Sequence, residues 1–389
     1  MMELYGYKRS DGRTGIRNHI LILPASVCAS DTTGMIAAQV QGAVSFHNQV
    51  GCSQVPSDMR YAMDMMAGFA ANPNVYGTIV VGLGCETCQV ELIAEEIKKR
   101  TNKPLETLVI QKEGGTIRLI EKAVRMARQM AAEASMQLKV PVSIKDIILA
   151  TECGGSDPTS GLAANPVMGS LSDRLVSEGS TVILSETPEF IGAEMILASR
   201  AKNDRVRERI LDIVDRYEKH FIRNGENIRL GNPTPGNVKG GLTTLEEKSL
   251  GCIHKGGSSV INEVYDYGKQ ISSDTRGLVV MDTPGNDASS IAGMLAGGAQ
   301  VVVFSSGLGS PLGSAIAPVI KITGNADTYR NMEDNIDFDA SRLMSGEKNM
   351  EELEEELYRL MIDTCNGRKT KAEILGFTET AVMRSCNYV

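Results

Sequence analysis

The sequence predicts an α/β protein: Rossmann-like parallel sheets in two lobes, with helices on both faces. Three observations predict it. Short apolar runs recur along the chain and alternate with stretches of helical spacing. The runs end in glycine-rich polar loops, as strands do at the carboxyl edge of an open parallel sheet. The same grammar then restarts after Val140-Pro141, which divides the 389 residues into an N-terminal lobe, 1–140, and a C-terminal lobe, 141–389.

Taken in order, the first lobe opens with Asp11-Gly12-Arg13-Thr14-Gly15-Ile16-Arg17-Asn18-His19, two guanidiniums and two glycines ahead of the apolar run 20–24. Further strands are predicted at 43–46, 78–81 and 107–110, with helices around 32–40, 56–70 and 88–100 between them. Residues 116–135, rich in Ala, Met and Arg, predict a long helix whose methionines fill core. The second lobe predicts a strand at 146–152, a helix near 166–178, a strand at 181–184 and a long charged helix over 189–222. Residues 224–241 are rich in Gly, Pro and Asn and lead into Thr244 with Glu247 behind it, a capping pattern that favours an ordered loop. Strands at 277–282 and 300–304 flank a helix near 288–297. The acidic run from Met350 to Leu357 starts a terminal helix with a solvated face.

Composition excludes several function classes. A net charge of −8 argues against a nucleic-acid partner, which a basic face would serve. No apolar run approaches the roughly 18 to 20 residues of a membrane helix, and the N-terminus lacks a basic region followed by an apolar core. A soluble cytoplasmic protein with no membrane partner is expected. The eight cysteines lack disulfide-type density, so they are expected as thiols or metal ligands in a reducing compartment.

The strand-end loops concentrate the chemistry. Thr151-Glu152-Cys153-Gly154-Gly155-Ser156-Asp157 packs a thiol, carboxylates and hydroxyls against the end of one run, and Gly51-Cys52 and Gly84-Cys85-Glu86 repeat the arrangement. An ordinary βα turn explains any one such loop; the repetition points to a site. Three dispersed thiolates, Cys52, Cys85 and Cys153, suit an iron–sulfur cluster or a single Fe²⁺, against the alternative of inert buried thiols. Cys85-Glu86-Thr87-Cys88 has no second pair at structural-zinc spacing. Gly82-Leu83-Gly84 and Gly307-Leu308-Gly309 lack dinucleotide spacing and the lysine of a phosphate loop. Glu86, Glu152, Asp157 and Glu186 all follow strand ends, as acid–base or metal-site carboxylates do. His47, Lys239 and Lys321 are candidate bases, and His220 and His254 lie on charged helical stretches expected to be solvated.

Read together, Asp11 to Asn18, Gly51-Cys52, Gly82 to Glu86, Gln111-Lys112-Glu113-Gly114-Gly115-Thr116, Cys153 to Asp157, Ala164-Asn165-Pro166, Gly231-Asn232-Pro233 with Lys239-Gly240-Gly241-Leu242, Glu247-Lys248 and Pro318-Val319-Ile320-Lys321 resemble the altronate/galactarate dehydratase family. That family also includes the large subunit of sulfolactate sulfo-lyase. The resemblance implies a hydro-lyase that converts a small sugar acid, D-altronate first, to a 2-keto-3-deoxy acid with a divalent metal, Fe²⁺ or alternatively Mn²⁺. Family dehydratases often carry a small N-terminal SAF-type domain; this chain starts at the large part, which implies a separate small subunit or a member without one. Further copies of the same chain are expected as partners. On this reading Cys52, Cys85, Glu86, Cys153 and Asp157 are the metal neighbours. Arg13 and Arg17 clamp the substrate carboxylate. Asn18, Ser156, Thr159 and Asn165 bind hydroxyls, and His47, Lys239 and Glu186 are the catalytic candidates. Expulsion of sulfite, or galactarate as substrate, is the alternative.

Overall fold

A computed structural model describes residues 3–387, and the α/β class stands. β1 (Tyr5–Lys8) and β2 (Thr14–Gly15) form a short hairpin. β3 (His19–Pro24), β4 (Ala43–Val44), β5 (Val75–Gly82) and β6 (Leu105–Val109) then build a four-stranded parallel sheet in the order β4-β3-β5-β6. β7 (Val140–Pro141) returns to pair antiparallel with β1. β8 (Ile148–Cys153), β9 (Thr181–Leu184), β10 (Ile261–Tyr265), β11 (Gly277–Met281), β12 (Val301–Ser305), β13 (Val319–Thr323) and β14 (Phe338–Asp339) make a seven-stranded sheet, parallel throughout, in the order β10-β11-β9-β8-β12-β13-β14.

This order fixes where a ligand meets the large sheet. From β8 the chain passes to β9, then to β10 at the edge, back to β11 between them, and crosses to β12 on the other side of β8. The carboxyl ends of β8 and β12 therefore diverge at a topological switch point, where open α/β sheets bind ligands. Backbone hydrogen bonds join the two loops there, Gly154 N–H to Ser305 O at 3.0 Å and Leu308 N–H to Gly155 O at 2.8 Å.

Burial on both faces explains the near-continuous apolar strands. Leu149, Ala150, Val182, Ile183, Val279, Val280, Val302 and Val303 are all fully buried. The helices Pro56–Ala71 and Asp287–Ala296 pack against each other between the two sheets, in a core that joins Leu21, Leu23 and Val80 to Ala150, Val302 and Phe304. Polar stitches reinforce it at the amino ends of the strands: Asn72 Nδ2 donates to Leu295 O and Ala299 O, and Asn74 Nδ2 to Gln300 O and Ile316 O.

One segment departs from the sequence-based expectation and two refine it. The long helix over 189–222 is broken into Glu194–Ser199 and Asp204–Arg223, because Asn203 caps a new helix by accepting from Val206 N–H at 3.0 Å. Residues 224–241 are ordered as Ile228–Gly231 and Pro235–Lys239, the second with a Thr234/Asn237 capping box. The terminal helix Met350–Asn366 is solvated on one side only. Its Leu353, Leu357 and Met361 are buried, and Arg174 bridges Glu354 and Glu355. Among the described residues no helix is long and apolar enough to cross a membrane.

Candidate active site

The loop after β8 lines a cavity of about 280 Å³ at the switch point. Cys153, Ser156, Asp157 and Asn165 form one wall; Lys248, Cys252 and His254, from the helix Leu245–Ile253 and the turn after it, form the opposite one. Asp157 shapes its own loop: Oδ1 accepts from Thr159 Oγ1 at 2.6 Å and from Ser160 N–H at 3.1 Å, and Oδ2 accepts from Asn325 Nδ2 at 2.9 Å. Asn165 ties the walls together, its Nδ2 donating to Gly251 O at 2.9 Å.

Directly behind Cys153 lies a buried ionic cluster. Lys255, with no exposed surface, contacts the Glu186 carboxylate and donates to Cys153 Sγ at 3.1 Å. Cys153 Sγ lies 3.5 Å from Cys252 Sγ, and Cys153 N–H donates to Glu186 Oε2 at 3.0 Å. Glu186 reaches this position from a left-handed backbone conformation, φ 72°, rare for a residue with a side chain and costing about 1–3 kcal/mol. The strain is held by Glu186 N–H donating to Thr283 Oγ1 at 2.7 Å and by Glu189 N–H donating to Glu186 O at 2.8 Å. Glu152, the residue before Cys153, accepts through Oε2 from Ser185 Oγ at 3.1 Å and Ser290 Oγ at 2.6 Å.

Burial and crowding set the protonation states. Burial, then Glu186, pushes Glu152 well above the ordinary carboxylate range, and the same two causes bring Asp287 up to about 7. The neighbouring Cys252 and burial push the Cys153 thiol well up. Burial alone would drive Lys255 down, but Cys153, Cys252, Glu186 and Glu152 hold it well above the usual lysine range. A second pair borders the cavity: Lys248 Nζ lies 2.9 Å from Glu189 Oε1 and 3.0 Å from Asn232 Oδ1.

Two groups of side chains offer donor atoms within 4.8 Å of one another: Cys153, Glu186 and Cys252, and Glu152, Glu186 and Asp287. The first already holds the Lys255 ammonium against its thiol and its carboxylate. The second fits a divalent cation better. It presents three oxygen donors, and Glu152 Oε1 is buried without a hydrogen-bond partner. Crowding and burial raise Glu152 and Asp287 toward their neutral forms, and a divalent cation would favour their ionised forms by supplying opposite charge.

The structure thus gathers Cys153, Glu186, Ser156, Asp157 and Asn165 around one cavity, with Thr159 bonded to Asp157, and places the remaining candidates elsewhere. Cys52 and Cys85 lie on loops of the four-stranded sheet and share no donor group with Cys153 among the described residues. Glu86 turns back on its own loop, accepting from Leu83 N–H at 3.0 Å and Gly84 N–H at 2.8 Å. Arg17 is engaged by Glu373 through two hydrogen bonds and by the carbonyls of Thr364 and Arg368, Arg13 by Asp11 at 2.6 Å, and Asn18 by Arg9 and Ala134 O. His47 is exposed beside Asp31, and Lys239 is exposed on its short helix. Lys321, fully buried, donates to the carbonyls of Pro311 and Leu312. Sequence reading missed Cys252, Lys255 and Asp287, and gave Lys248 no role. Asp287 was findable by the strand-end rule, since it closes the polar loop after β11. Lys255 follows a helix with no motif around it.

Comparison with known proteins adds the lineage. Residues 6–135 match the model of the D-galactarate dehydratase/altronate hydrolase second domain, and 144–387 that of the D-galactarate/altronate dehydratase C-terminal region. The altronate dehydratase of Escherichia coli K12 is 33% identical over 98% of this chain and 78% of its own length. The altronate dehydratase of Bacillus subtilis 168 is 32% identical over 98% of this chain and 77% of its own. The (2R)-sulfolactate sulfo-lyase subunit beta of Chromohalobacter salexigens is 35% identical over 97% and 96%. With both regions matched in order and relatives aligned across nearly its whole length, the chain belongs to the D-galactarate/altronate dehydratase family of lyases.

Proposed function

We propose that the chain is the large, catalytic part of a sugar-acid hydro-lyase, with D-altronate as first candidate substrate and a 2-keto-3-deoxy acid as product. The observation that carries this reading is the cavity at the switch point, lined by Asp157, Lys248 and His254 and backed by three clustered carboxylates and one buried ammonium. Dehydration of such an acid requires removal of the proton next to a carboxylate, and the developing enediolate concentrates negative charge. A divalent ion, Fe²⁺ or Mn²⁺, held by Glu152, Glu186 and Asp287 would supply Lewis-acid stabilisation of that charge.

The chain's own groups do the rest. Lys248 presents an ammonium at the cavity wall for the substrate carboxylate, with Glu189 and Asn232 fixing its direction. Ser156 and Ser160 offer hydroxyls to a polyhydroxy chain. His254 lines the cavity and is the candidate general acid–base side chain there, so His254→Gln is expected to lower kcat by roughly 10²–10⁴-fold. Glu186 acts from behind Cys153, holding Lys255 and the Cys153 amide in place.

Release of sulfite from sulfolactate is the second reading, favoured by the alignment with the sulfo-lyase subunit over 96% of that subunit. Both need the same enediolate and differ at the leaving group. The test is incubation with Fe²⁺ or Mn²⁺ under anaerobic conditions against altronate, galactarate and sulfolactate, with and without a separate small SAF-type subunit. Formation of a 2-keto-3-deoxy acid supports the first reading and sulfite the second; no product from any substrate overturns both.

A further inference from the structure

We propose that Cys153 and Cys252 close into a reversible disulfide under peroxide, and that this bond switches the cavity off. The two residues stand 99 positions apart in sequence, one ending β8 and the other in the helix Leu245–Ile253, yet their sulfurs lie 3.5 Å apart. A disulfide needs about 2.05 Å, so closure asks for a sulfur movement of only about 1.5 Å. Both residues are buried, and both line the cavity. A small oxidant that enters the cavity therefore meets the pair together.

The chemistry balances with hydrogen peroxide as the oxidant. The Cys153 sulfur attacks one peroxide oxygen, the O–O bond breaks, and the departing hydroxide takes up the thiol proton to leave as water. The resulting sulfenic acid is attacked by the Cys252 sulfur, its S–O bond breaks, and a second water leaves with the Cys252 proton. Two thiols have lost two hydrogens and one peroxide has become two waters; a dithiol reductant reverses the change by exchange. The bond ties the helix that carries Lys248 to the end of β8. It also removes the thiol that Lys255 contacts, so the ionic cluster loses a member at the cavity wall.

The loss of turnover rests on the function proposed above; the bond itself does not. The full-length protein is treated with hydrogen peroxide, unfolded in an alkylating agent, digested and mapped by mass spectrometry, with turnover measured on a parallel sample. The expected result is a cross-linked peptide pair containing Cys153 and Cys252, absent after dithiothreitol and absent in Cys252→Ser, with turnover lost and regained in step. Buried Cys365 should remain alkylated throughout. Full alkylation of both Cys153 and Cys252, at a peroxide dose that has already oxidised exposed Cys28 and Cys85, would overturn the proposal. A cross-link that forms without any loss of turnover overturns the switch. A cross-link in a protein inactive on every substrate upholds the bond and overturns the functional reading instead.

Discussion

Lys255 has no exposed surface and answers Glu186 from the centre of a group of carboxylates, so removing its charge leaves a buried anion without a partner. Lys255→Met is expected to destabilise the protein by about 3–5 kcal/mol in urea unfolding, and the double variant with Glu186→Gln to recover much of that loss. A second residue ties stability to pH. His19, on β3, is pushed down from 6.5 to about 4 by burial and by Arg17 beside it. Below 6.5 the unfolded chain takes up a proton that the folded one refuses, so this group's stabilisation is present above 6.5 and is lost as pH falls toward 4. His19→Gln should flatten that part of a plot of Tm against pH; an unchanged slope would contradict the assignment. At this scale the sequence revealed part of the site. Cys153, Asp157 and Glu186 follow strand ends, a place that periodicity exposes. Lys255 and Cys252 become neighbours of Cys153 only through the packing of the helix Leu245–Ile253, and no local pattern encodes that approach.

Helix contacts set a finer limit than helix propensity does. Gly68 lies where the helices Pro56–Ala71 and Asp287–Ala296 cross, and a methyl group there would stand 2.5 Å from Ala296 O and 2.7 Å from its Cα. Gly68→Ala gains roughly 1 kcal/mol of intrinsic helix stability but forces backbone apart, at a cost of about 1–3 kcal/mol. A net fall in the urea midpoint is expected. Gly154 has a similar constraint with a different readout. A methyl group would fall 2.3 Å from Asp287 Oδ2, so Gly154→Ala should weaken Mn²⁺ binding, measured by calorimetry or electron paramagnetic resonance, more than it weakens folding. Most elements were legible because strands buried on both faces are almost wholly apolar and helices carry one apolar face. β13 was obscured by Lys321, a charge inside a fully buried strand, and β10 by the polar Asn262 and Glu263. The break at Asn203 was hidden by the charged residues on both sides of it, which read as one continuous helical face.

At the scale of the whole molecule, the C-terminal residues bind the first lobe's sheet layer to the second. Asp58 accepts from Ser385 N–H at 2.8 Å, Ser385 Oγ at 2.7 Å and Cys386 N–H at 2.9 Å, while Gln49 Nε2 donates to Thr380 O at 3.4 Å. Asp58→Ala should speed hydrogen exchange and proteolytic clipping around 380–386 while leaving the unfolding free energy within about 1–3 kcal/mol of the parent. The doubly covered parallel architecture was readable because its periodicity repeats many times along the chain. The shared core between the two sheets was not, because the faces of helices Pro56–Ala71 and Asp287–Ala296 look apolar whether they cover one sheet or two. The small sheet at the start of the chain was likewise unread, its strands being only two to four residues long. In it Tyr5 stands opposite Pro141 and Gly6 opposite Val140. The polypeptide from 5 to 141 therefore leaves and returns at a single spot, like a loop drawn closed at its neck. A gene segment coding for it could be exchanged between relatives, or its ends rejoined in a permuted chain, with one short stitch at that neck.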